Sequence, residues 1–228
     1  MNGILKHWQM RIFLLGLFIF GVILAFRLEA RAEAKPSLAI LPFIIERVED
    51  QEQRTAPCPI CKGIHRRSEI LPGSQNTLTR FLYEKMEANG AFRIIPLKRV
   101  EEILSHWEKR HFEERPLSSS LQVAKELNAD FVFIGYLFRF EERIGSRLGV
   151  DRPASVSFHV HLFRLTDERM VWEGKFDETQ RPLSENLFKI GSFFRRKASW
   201  LTAEELASVG MDEMLRKFPD PKELEERP

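Results

Sequence analysis

The chain has 228 residues, 43% of them hydrophobic and 30% charged, with a formal net charge of +2. That composition excludes a disordered or fibrous chain, and the length suits one ordinary domain with extensions, or two small ones. Residues 1–32 hold four Lys or Arg against a single Glu, so the slight basicity belongs to the amino end and gives a nucleic-acid partner no support.

That amino end contains 15 consecutive uncharged residues, Ile12 to Phe26. As a helix the run spans roughly 22 Å. Trp8, Met10 and snorkelling Arg11 and Arg27 would extend it toward the roughly 30 Å of a bilayer core. Ala30 and Ala32 have the spacing of a cleavage signal. Lys6 and Arg11 precede the run, whereas Arg27 and Arg31 are offset by Glu29 and Glu33, so the charge bias sends residues 35–228 out of the cytoplasm. Residues 1–34 are therefore read as a signal peptide or amino-terminal membrane anchor, and the periplasm as the expected location. With no cysteine near the run, lipidation there is excluded.

"LAILPFII" (38–45) reads as a buried strand. The polar stretch from Glu46 to Gly73 is longer than an ordinary connection and is expected to be a long loop or small hairpin with a staple or a function. "SQNTLTRFLYEKMEAN" places Leu78, Phe81, Leu82 and Met86 on one helical stripe that ends at Asn89-Gly90. A short strand, "FRIIP", comes next. It is followed by a helix, "LKRVEEILSHWEKR", with Val100, Ile103, Leu104 and Trp107 on one face. In "SSSLQVAKELNAD" the serines are expected to cap a helix that buries Leu121, Ala124 and Leu127.

"FVFIGYLFRF" (131–140) reads as a central strand, and the next two segments alternate. Val156, Phe158, Val160 and Leu162 are expected to face the core, with Ser157, His159 and His161 opposite. Met170, Trp172 and Phe176 are expected inward against Glu173, Lys175 and Asp177. The turn "LTDER" makes these an antiparallel hairpin. "LSENLFKIGSFF" and "TAEELASVGMDEMLRKF" are helical by periodicity, and Thr202 with Glu205 makes a capping box. The expected fold is one α/β domain over 35–182 with a mixed sheet packed by helices and a late antiparallel meander. Residues 46–73 form an insertion, and a helical extension covers 183–228.

Three groups of residues carry chemistry. "CPICKGIH" holds both cysteines, and Cys58, Cys61 and His65 offer three ligands where a structural zinc site takes four. In an oxidising compartment a disulfide or knuckle clip is the first reading. A metal half-site is the second, and a redox thiol, which would favour a helix amino terminus, the third. His159 and His161 alternate on one strand face, as metal-binding histidines do, although an outer face that is solvated or covered by a helix is the plainer reading. Arg143, Arg147 and Arg152 lie on a glycine-containing connection able to grip an anion or a partner's acidic patch, or serve as a mobile tip. No phosphate loop, dinucleotide fingerprint, nucleophile elbow or H-E-x-x-H occurs.

"LAILPF", "ELNADFVFIGYLFRF" and "VWEGKFDE" together resemble a family of bacterial envelope proteins. It comprises the TolB amino-terminal domain, CsgG and the lipoprotein activators of penicillin-binding proteins. Pro42, Phe43, Ala129, Asp130 and Gly135 carry the likeness, which spans roughly residues 37–178. It implies a non-catalytic cell-envelope protein that acts through contacts with other envelope proteins, with homo-oligomers allowed and no cofactor. The competing expectation is a metal- or thiol-dependent periplasmic enzyme using the Cys58/Cys61/His65 segment, with zinc as its cofactor.

Overall fold

A computed structural model describes residues 35–45, 54–181 and 200–227. The expected leader and the helix expected at 183–194 lie outside these residues. No helix among the described residues is long and apolar enough to cross a membrane.

The apolar run at 38–45 forms β1 (Ser37–Ile40) and β2 (Ile44–Ile45), both parallel to β6 (Phe131–Glu141). Pro42 lies in the break between them, where its missing N–H removes a ladder bond. Phe43 N–H donates to Thr79 Oγ1 at 3.0 Å instead. The principal sheet runs β10-β9-β6-β1-β5, where β5 is Arg93–Ile94, β9 Ser155–Arg164 and β10 Arg169–Thr179. β1 pairs in parallel with β5 and β6, while β6, β9 and β10 form an antiparallel meander. This is the mixed sheet expected.

Helices cover both faces. On one, α1 (Ser74–Asn89) and α5 (Ala203–Leu215) pack against Leu38, Ile40, Phe131, Phe133, Val156, Phe158, Val160 and Leu162. All four expected stripe residues of α1 are buried, and Gly90 in the left-handed region ends the helix by donating to the Met86 carbonyl. The Thr202–Glu205 capping box is formed. On the other face α2 (Leu97–Leu104), α3 (Lys109–Glu114) and α4 (Pro116–Glu126) pack with the insertion against Ala39, Val132, Ile134, Tyr136 and Phe138. A sixth short helix, α6 (Pro221–Glu226), completes the first face through Leu224.

Asp130 pins the start of β6 to that of β1: its Oδ2 accepts from both the N–H and the hydroxyl of Ser37, each at 2.7 Å. Three expectations fail locally. "LKRVEEILSHWEKR" breaks after Leu104, and Trp107 packs its ring against His111 and Phe112 across the break. The serines do not cap α4, which opens one residue pair earlier at Pro116, a residue whose fixed φ suits a first helical position. Ser119 and Ser120 are instead buried and donate to the His111 and Pro116 carbonyls. Met170 is 42% exposed, because a bulge between Met170 and Trp172 puts Val171 into the core beside Trp172.

Candidate functional site

The insertion folds into a hairpin, β3 (Thr55–Pro57) and β4 (Ile64–Arg66), with Ala56 opposite His65. Between the strands the chain makes a tight knuckle. Cys58 N–H donates to the Gly63 carbonyl at 2.7 Å, and Lys62 N–H to the Cys58 carbonyl at 2.9 Å. Lys62 takes the left-handed conformation that the turn requires, at φ 63°. Gly63 N–H reaches back to Cys61 Sγ at 3.4 Å. Both cysteines are free thiols, so the expected disulfide is not formed.

The hairpin lies over the outer face of β6 and β9, the face carrying His159 and His161. Arg139, 5% exposed, fastens it there: its guanidinium donates to the Arg66 carbonyl (3.1 Å), Ser155 Oγ (2.6 Å) and Asp177 Oδ1 (2.6 Å). The strand histidines therefore face neither solvent nor a helix. Cys58 Sγ lies 3.6 Å from His161 Nε2, and Cys61 Sγ lies 3.5 Å from His159 Nδ1. The donor atoms of Cys58, Cys61, His159 and His161 all fall within 4.8 Å of one another. Glu173 Oε2, from β10, lies 3.5 Å from the far nitrogen of His159.

Burial holds Cys58, His159 and His161 uncharged. Burial, and then the neighbouring His161, His65 and Lys175, push His159 down to about 3. Burial lowers His161 to about 4, against an opposing pull from the Ile134 backbone. Burial raises the Cys58 thiol to about 11, although the Cys61 and Ile60 backbone groups act the other way. A nucleophilic or redox cysteine needs the opposite displacement.

His65, expected as the third ligand, is not part of the four-atom group. It is buried against the ring of Phe138, stacked at 4.1 Å with the planes 7° apart, and its ring centroid is 5.2 Å from that of His159. The places left beside the cysteines are filled by His159 and His161. In the sequence the two pairs stand as separate motifs, their partners 103 and 98 residues apart. The alternation that put Val160 in the core had already put both histidines on the opposite face, and the missing fact was that residues 54–67 cover it.

The three arginines are placed elsewhere, around a second hairpin of β7 (Ile144–Gly145) and β8 (Val150–Arg152). Arg143 donates to the Trp200 carbonyl. Arg147 lies 4.0 Å from Glu205, and Arg152 lies 3.9 Å from Glu69. Between them Leu148 stands 91% exposed.

No family model and no curated protein matches the chain. Among solved structures it is similar to the PelC dodecamer from Paraburkholderia phytofirmans, at 13% identity and TM-score 0.44, covering 81% of this chain and 88% of that one. It is similar also to the LpoB C-terminal domain from Salmonella enterica, at 12% identity and TM-score 0.40, covering 68% and 92%. Lipoprotein GNA1162 from Neisseria meningitidis gives 13% identity and TM-score 0.41, covering 67% and 92%. No residue role follows from likenesses of this size.

Proposed function

We propose that this protein is a non-catalytic component of the cell envelope that works through protein–protein contacts in the periplasm. The observation that carries the reading is the β7–β8 hairpin. A leucine that is 91% exposed stands at its tip between Arg147 and Arg152, whose side chains are about half exposed. An exposed apolar side chain on a hairpin that also carries two half-exposed arginines suits a partner surface with an apolar pocket and carboxylates nearby. The amino-terminal run and its charge bias support export. The catalytic alternative is weakened by the burial of its reactive groups: Cys58, in the turn of the β3–β4 hairpin, and His161, beneath it, are fully buried, and the Cys58 thiol is held protonated.

The test replaces Arg147, Leu148 and Arg152 together with Ser and leaves Arg143 to hold Trp200. The variant is expected to keep its circular dichroism and melting temperature while recovery of crosslinked envelope partners falls several-fold. Wild-type recovery from a folded variant would reduce the hairpin to a connector. A periplasm-dependent reporter fused after Phe218 checks the location, and sedimentation of the purified chain shows whether a second copy is among the partners.

A further inference from the structure

We propose that Cys58, Cys61, His159 and His161 bind one zinc ion in a closed tetrahedral site that clamps the β3–β4 hairpin to the central sheet.

Three independent features support it. The first is distance. Zinc–sulfur bonds of about 2.3 Å and zinc–nitrogen bonds of about 2.0–2.1 Å, set at a tetrahedral angle, put sulfur and nitrogen about 3.6 Å apart. The two cross-pairs stand at 3.6 and 3.5 Å. Thiol–imidazole hydrogen bonds alone would account for two separate pairs, but here all four donor atoms converge within 4.8 Å.

The second is the donor set. Two sulfurs and two imidazoles are a borderline-soft group that suits zinc and disfavours magnesium or calcium, which take oxygen. Binding replaces the two thiol protons, which leave to solvent, so two thiolates and one dication make a neutral unit. That is the charge a buried position tolerates.

The third is the outer layer. His159 Nε2, the nitrogen turned away from the sulfurs, is buried without a hydrogen-bond partner among the described residues, and Glu173 Oε2 at 3.5 Å is the carboxylate placed to orient that imidazole when it ligates. Gly63 N–H points at Cys61 Sγ, where it stabilises a thiolate. With four protein ligands no position stays open for water or substrate, so the ion's role is structural.

Zinc content of the full-length protein purified under reducing conditions provides the test. One zinc per chain is expected, released by a mercurial reagent that blocks thiols. Cobalt should replace it with the visible absorption of a tetrahedral centre and a thiolate charge-transfer band in the near ultraviolet. Cys58→Ser and His161→Gln should each lower the zinc content at least tenfold, and His65→Ala should keep it. Because either ligand variant could unfold, His161→Cys serves as a second arm: it should retain one metal and strengthen the charge-transfer band. The proposal is overturned if wild-type protein, reduced and reconstituted with excess zinc or cobalt, holds no stoichiometric metal. It is equally overturned if His65→Ala loses the metal while a folded His161→Gln keeps it.

Discussion

The ring of Phe43 lies on Gly135 so closely that a methyl group built there would sit 2.7 Å from it. Pro42 sits in the break between β1 and β2, Phe43 turns onto the face of α1, and the position of β6 beneath it carries no side chain. Gly135→Ala must move either the ring or the strand, and overpacking of this kind costs about 1–3 kcal/mol. Urea denaturation should show a lower midpoint with an unchanged slope. Phe43→Leu in the same chain should return part of the loss, since the two residues share one space.

Trp172 packs edge-on against Phe133 at 5.9 Å and Phe218 at 5.0 Å, and pairs across the strands with Leu162. Trp172→Ala is expected to cost about 3–5 kcal/mol in chemical denaturation. Met170→Ala, two residues away but outside the core, should cost less than about 0.5 kcal/mol. Equal losses at both would mean that the bulge between them is misplaced.

Asp177 is the anion for Arg139, whose side chain is 6% exposed against 35% for its own. Removing one partner of a fully buried pair costs about 3–5 kcal/mol. Because Asp177 is a third open to water, Asp177→Ala should cost about 2 kcal/mol. Limited proteolysis should also cut the β3–β4 hairpin faster, since the same guanidinium holds the Arg66 carbonyl.

Thr202 accepts from the Glu205 N–H at 3.1 Å, while Glu205 accepts from the Thr202 N–H at 2.9 Å. Thr202→Ala should lower stability by about 1 kcal/mol, and Thr202→Ser by much less. A thermal melt separates the two.

Where a pattern is written in one stretch of chain, the sequence was readable. The α1 stripe, the capping box and the alternation of β9 all place their residues as the structure does, since each depends on local periodicity alone. Met170 departs from the expected face because the bulge inserts Val171 between it and Trp172, while Trp172 and Phe176 beyond the bulge keep the inward alternation. The break after Leu104 hid behind an apolar face that continues through it, with Trp107 packing after the helix has ended. At the candidate site both halves were visible as separate motifs. Their meeting depends on which loop covers which face of the sheet, a long-range choice that no local period records. The Arg143, Arg147 and Arg152 loop was legible as a charged connection, but the contacts with Trp200, Glu205 and Glu69 come from distant segments.

The two sulfur–imidazole pairs join residues 103 and 98 positions apart. The knuckle is complete in sequence by Gly63, whereas the histidines face it only after β9 has paired with β6. A chain made at about 5–20 residues per second leaves that turn waiting about 5–20 s for its other half. During the wait two adjacent thiols have no imidazoles opposite them and are open to oxidation to each other. In an oxidising compartment, where an external disulfide or quinone oxidant takes up the two electrons, that interval is when a Cys58–Cys61 disulfide can form, and the pairing of β9 with β6 closes it.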